Sequence, residues 1–218
     1  MPRRALAEHR PYLLLSLVAG VTYYFAADEA IGGLWLMLWK GLGVGFLALY
    51  AAHRGRGVDG GLLAAIMAMA ALGDMALEIS YIAGGVLFGL GHILAVFLYA
   101  RNRRARMTPS QRWTAAALSG LIPLSAGMMA YPAPDWLLAT AYALLLGLMA
   151  GGAWSSRFPR YRTGIGAVLF AAGHLLLIAQ EAGSIAAGLA AILIWPVYYA
   201  GQFLIVTGVV QTLRRQRG

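Results

Sequence analysis

The chain has 218 residues, 61% of them from the set AVILMFWYC and only 11% charged, with a formal net charge of +9. Soluble domains hold about 45–50% apolar and about 25% charged residues, so both departures lie in the membrane direction, and no stretch is polar enough for a separate soluble domain or a disordered tail. With no cysteine, disulfides, thiol catalysis and thiolate metal sites are excluded.

Apolar segments run over residues 11–27, 33–52, 60–81, 84–100, 113–130, 135–153, 163–181 and 185–211. They are apolar almost all round rather than striped. Lipid gives backbone groups no water to bond, so such segments are read as helices. The alternating segments of about 10 residues that a membrane β-barrel needs are absent. At about 20 residues per crossing, the reading is an all-α, polytopic transmembrane bundle of eight helices forming a single domain over 1–218.

All but one of the 17 basic residues are arginine; the exception is Lys40. The arginines fall at 3, 4 and 10, at 54 and 56, at 101, 103, 104, 106 and 112, at 157, 160 and 162, and at 214, 215 and 217. These positions are the two ends of the sequence and every second connection. The other connections hold Asp28 and Glu29, nothing basic near Tyr81 to Gly84, then Asp135, then Glu181. The positive-inside rule then places both termini in the cytoplasm. Phe25-Ala26-Ala27 imitates a signal-cleavage site, but cleavage would spoil this alternation, so a retained first helix is expected. The positive charge is assigned to topology and to membrane lipids, with Arg101, Arg103, Arg104 and Arg106 facing anionic headgroups. Nucleic acid is not an expected partner, and the oligomeric state is not legible.

Few ionisable residues lie inside the spans: Lys40, Asp74, Glu78, His92 and His174. Each costs at least about 2.5–3.5 kcal/mol in lipid, so each should face the interior with a partner. By rise per residue, Lys40, Asp74, His92 and His174 fall at comparable depths on four helices, Lys40 roughly 10 Å from its helix end. Asp74 and Glu78 are four apart and share a helix face. Two carboxylates so close resist double ionisation, which suits a general acid beside an ionised neighbour. The plain alternative pairs Asp74 with Lys40 and leaves Glu78 at the aqueous boundary. For each histidine the alternatives are a base, a metal ligand or an interhelical hydrogen bond.

Val86-Leu87-Phe88-x-x-Gly91-His92 matches Val168-Leu169-Phe170-x-x-Gly173-His174, which would fit an inverted repeat or a chance likeness. Zinc has acceptable donors in Asp74, Glu78, His92 and His174, but no HExxH-type pair supports it, and no cofactor is expected. Lys40 sits too early in the chain to suit a retinal Schiff base. No phosphate loop or GxSxG elbow is present, and Ser80 and Ser184 lack obvious triad partners.

Two stretches, Leu72-Gly73-Asp74-Met75-Ala76-Leu77 and Phe88-Gly89-Leu90-Gly91-His92, resemble the Gly-Asp-x-x-Leu and Phe-x-x-x-His segments of the lysoplasmalogenase (YhhN-like) family of eight-helix membrane proteins. Lys40 resembles the family's helix 2 lysine, although Gly41 stands where a proline usually follows. Gly166-Ala167-Val168-Leu169-Phe170 resembles its helix 7 start, and Tyr198-Tyr199-Ala200-Gly201-Gln202-Phe203-Leu204-Ile205 its helix 8. One departure is Gly173-His174, where the family commonly has Ser-Asp.

The resemblance implies hydrolysis of the vinyl-ether bond of lysoplasmalogens to a fatty aldehyde and a glycerophospho-base, in the cell membrane of a bacterium. Asp74 would be the acid, Glu78 or His92 would orient water, and His174 would complete the catalytic set. Lys40, Tyr198, Tyr199 and Gln202 would bind the lysophospholipid, whose tail would enter beside Gly41 and Gly45 or Gly147 and Gly151. The competing readings are a small-molecule or proton transporter, which would need interrupted helices, and a non-catalytic membrane protein.

Overall fold

The computed structural model of the chain describes residues 10–27, 29 and 32–215. Arg3, Arg4, Asp28 and Arg217, used above for topology, lie outside these residues. The described residues form eight α-helices: α1 Pro11–Ala26, α2 Gly33–Arg54, α3 Gly57–Leu77, α4 Tyr81–Arg101, α5 Pro109–Ala130, α6 Trp136–Ser155, α7 Ile165–Glu181 and α8 Ala187–Arg215, with a π-helical turn at Arg160–Gly164 leading into α7. Seven spans, α2 to α6, α8 and α7 together with its π-turn, are long and apolar enough to cross a membrane. At 16 residues, α1 is roughly 24 Å long, shorter than the hydrocarbon core of about 30 Å.

The helices outrun the apolar runs that announced them. α2, α4 and α8 reach to Arg54, Arg101 and Arg215, because an arginine stem stays against apolar surface while its head reaches water. α5 begins with a capping box: Gln111 N donates to Thr108 Oγ1 (3.4 Å), Thr108 N donates to Gln111 Oε1 (3.2 Å), and Pro109 stands in the first turn. α3 starts at Gly57, before the expected residue 60, and its turns are spent at Leu77. Glu78 is therefore the C-cap, at a helix end rather than inside a span.

The chain divides into two compact units. The first comprises Met1–Gly91 with Leu213–Gly218, the second His92–Thr212. In the first, α1 packs on α2 and α2 on α3. Ser16 Oγ donates to Gly43 O at 2.6 Å and Trp39 Nε1 to Thr22 Oγ1 at 3.1 Å, tying α1 to α2. Gly41 faces Met75 and Gly45 faces Ala71. The small residues there are filled by α3, so they serve helix packing rather than leaving a slot for a lipid tail.

In the second unit α5 packs on α6 and both touch α7. Gly147 and Gly151 back onto the α5 carbonyls of Leu118, Ser119 and Ala115, so this second expected slot is closed as well. Gly166 and Gly201 bring α7 and α8 into backbone contact. The loops at the arginine-bearing end are stitched together. Arg104 donates through Nε and Nη2 to Ser156 O (3.2 and 3.0 Å), and Arg157 Nε donates to Asn102 Oδ1 (2.5 Å). Arg104 and Arg157 are thus spent on loop structure, whereas Arg103 and Arg106 are exposed.

Candidate functional site

The residues singled out from sequence form two clusters, one in each unit. In the first, α3 carries Asp74 in its last turn, 2% exposed, and Glu78 one turn on as its cap. Lys40 Nζ donates to Glu78 Oε1 at 2.6 Å. The plain expectation had paired Lys40 with Asp74. Helical side chains lean toward their own N-terminus, so Lys40 on antiparallel α2 leans toward the end of α3, where Glu78 stands, and Asp74 acts on it electrostatically. Tyr23 of α1, 7% exposed, also acts on Lys40. It is the member sequence reasoning missed. A buried tyrosine carries a hydroxyl that needs a partner, but with 11 tyrosines in the chain that signal does not single it out.

The strength of the ion pair can be measured. Glu78 is about a third exposed, its side chain 36% accessible against 17% for Lys40, so solvent screens the pair. A double-mutant cycle of Lys40→Met with Glu78→Gln should return a coupling near 1 kcal/mol, the upper end for exposed pairs. Zero coupling would mean that the pair is not formed in the membrane-embedded protein.

The second cluster gathers His92 of α4, Tyr142 of α6, Phe170 and His174 of α7, and Tyr198 and Gln202 of α8. His92 Nε2 and Tyr142 OH share a hydrogen bond of 3.1 Å. His174 Nδ1 lies 3.1 Å from Phe170 O. A carbonyl only accepts, so in the neutral ring the proton is on Nδ1 and the lone pair on Nε2. The His92 and His174 centroids are 5.8 Å apart, and His174 packs at 4.3 Å on Phe170 and 5.5 Å on Tyr198. Gln202 Nε2 donates to Tyr198 OH at 3.4 Å, while Tyr199 stacks on Trp195. The rings are in mutual contact, so this interior is filled rather than open. Tyr142→Phe removes the His92 bond and should cost about 1 kcal/mol, read as a fall in unfolding midpoint without loss of helix signal.

The two Phe-x-x-Gly-His segments pack differently: the Phe88 ring lies over Gly73 of α3, whereas at Phe170 the backbone meets Gly201 of α8.

Among the described residues, no three His, Asp or Glu side chains are grouped as a metal ion would require. Ser80 Oγ accepts from Ala83 N and Ser184 Oγ donates to Met129 O, so both hydroxyls serve turns. A groove of about 550 Å³ in the second unit is lined by Pro123, Leu124, Gly127, Met128, Tyr131, Trp136 and Thr140. Its lining contains no carboxylate and no imidazole.

Seven membrane-length helical spans among the described residues, with the buried Asp74 carboxylate among them, define an integral membrane protein. The model of the YhhN family matches residues 35–209, and the chain belongs to that family. This span includes Lys40, Asp74, Glu78, His92, His174 and Gln202. No curated protein and no solved structure matches the chain.

Proposed function

We propose that the protein is a membrane hydrolase of the lysoplasmalogenase type, releasing a fatty aldehyde and a glycerophospho-base from a vinyl-ether lysophospholipid. The observation that carries this reading is Asp74, buried one helical turn from the Lys40–Glu78 ion pair in a chain of the YhhN family. Vinyl-ether cleavage begins with proton transfer to the β-carbon. The resulting oxocarbenium ion is captured by water, and the hemiacetal collapses to aldehyde and alcohol. The sum is one vinyl ether plus one water.

Asp74 is assigned the acid. Lys40 and Glu78 neutralise each other, so the cluster can hold a protonated carboxyl beside a fixed dipole that stabilises the developing cation. Glu78 is assigned the orientation of water, and Lys40 its positioning. His92, His174, Tyr198, Tyr199 and Gln202, which the family resemblance groups with the acid, form a cluster of their own in the second unit, and no step of the reaction is assigned to them. The protein is placed in a bacterial cell membrane with both termini cytoplasmic, its arginines against anionic lipid.

A transporter reading expects broken helices. α5 and α8 run on through Pro123 and Pro196, so neither proline breaks its helix. The test is aldehyde release from a vinyl-ether lysophospholipid by the purified full chain, with an ester lysophospholipid as comparison. Release from the vinyl ether alone is the expected result. No release by well-folded protein would sink the reading.

A further inference from the structure

At one end of the first unit, four guanidinium groups are gathered by the ends of four helices. Arg10 precedes α1, Arg54 closes α2, Arg56 precedes α3 and Arg214 lies in the last turn of α8. Two contacts fix this gathering. The Tyr12 and His53 rings meet edge to face at 5.8 Å, holding the start of α1 to the end of α2. Gly55 and Gly60 are so close that a Cβ on Gly55 would stand 2.8 Å from Gly60 Cα, so the turn keeping Arg54 and Arg56 together is tight.

Arg54 is repelled by Arg214, Arg10 and Arg56. The one acidic residue in the first turn of α3, Asp59, has an interaction of its own. Arg54 is half-buried, and its Nε atom, shielded from solvent, makes no hydrogen bond among the described residues. A shielded donor without an acceptor is costly, and so is the approach of like charges. A multivalent anion relieves both. A phosphate suits several guanidinium forks arriving from different helices, because its oxygens accept in several directions. A carboxylate is satisfied by one fork. The position at the ends of membrane-length helices is the level of lipid headgroups.

We propose that Arg10, Arg54, Arg56 and Arg214 form a binding site for the phosphate group of an anionic phospholipid, with Arg54 Nε donating to a phosphate oxygen. This site is independent of the hydrolase reading. It also differs from the sequence-clustered arginines at 101–106, of which Arg104 is engaged with backbone carbonyls.

The test is the thermal unfolding midpoint of the full chain in neutral detergent, with phosphatidylglycerol, phosphatidylcholine or inorganic phosphate added. Phosphatidylglycerol should raise the midpoint by roughly 5 °C when present about 100-fold above its Kd, and phosphatidylcholine should not. Arg54→Gln and Arg214→Gln should each remove at least half of the shift. Arg112→Gln, which deletes an exposed arginine elsewhere, should keep it. Inorganic phosphate giving the full shift would support the phosphate site and identify its source as soluble. An unchanged shift in Arg54→Gln, or an equal loss in Arg112→Gln, would overturn the proposal. Should Arg54→Gln not fold, Arg54→Lys keeps the charge without the fork, and it too should lose most of the shift.

Discussion

Asp74→Asn is expected to lower aldehyde release by about 10²–10⁴-fold, the usual worth of a positioned general acid, while leaving the protein folded. Asparagine has nearly the shape of aspartate and keeps its hydrogen-bonding capacity, but it has no proton to give to a carbon. The partner variant is Asp59→Asn, in the first turn of the same helix. It removes the same charge without touching the last turn of α3 and should retain turnover. Retained turnover in Asp74→Asn would remove Asp74 from the acid role. A chelator arm belongs in the same assay: activity unaffected by chelation fits proton transfer by the carboxyl alone, and loss on chelation would bring a metal into the site.

Gly201→Ala should be the most damaging single-methyl change in the second unit. A Cβ at 201 would stand 2.5 Å from Phe170 N and 2.7 Å from Gly166 O. Both neighbours are backbone, so neither can rotate away. Alanine gains about 1 kcal/mol of helix propensity over glycine, but overpacking costs about 1–3 kcal/mol and more where nothing yields. The clash therefore wins, by about 2 kcal/mol, or a fall of roughly 4–8 °C in unfolding midpoint. Gly120→Ala supplies the contrast, because nothing lies within 4 Å of its Cβ position. It should keep the propensity gain and rise by a few degrees. Similar shifts for both would show that α7 and α8 do not approach as closely as the structure has them. The separation of α7 from α8 in Gly201→Ala should also disturb His174 and Tyr198, since Gly173 lies against the Tyr198 backbone.

The sequence by itself determined the class and the element order. Lipid permits one backbone solution for long apolar runs, so composition alone implied helices. The intramembrane charges were legible for a related reason: in such a chain a carboxylate or imidazole is expensive enough to be noticed singly. The family was legible because the Gly-Asp and Phe-x-x-x-His segments stand in order, and the match over 35–209 agrees.

Tertiary structure decided the partners. Lys40 bonds Glu78 because of the lean of side chains on antiparallel helices, a directional property that residue spacing does not carry. Tyr23 and Tyr142 joined the clusters from helices that bear no charge near them, since nothing local marks which tyrosine faces inward. The glycines read as a lipid slot turned out to be filled by neighbouring helices, because a missing side chain is as useful for close packing as for an opening. Arg104 and Arg54 show the same limit from the surface. Adjacent arginines in sequence were divided between loop carbonyls and solvent, whereas arginines from four helix ends were brought together. Sequence fixes how many charges there are and at which end of each helix. Only the packing of helix ends decides which of them meet.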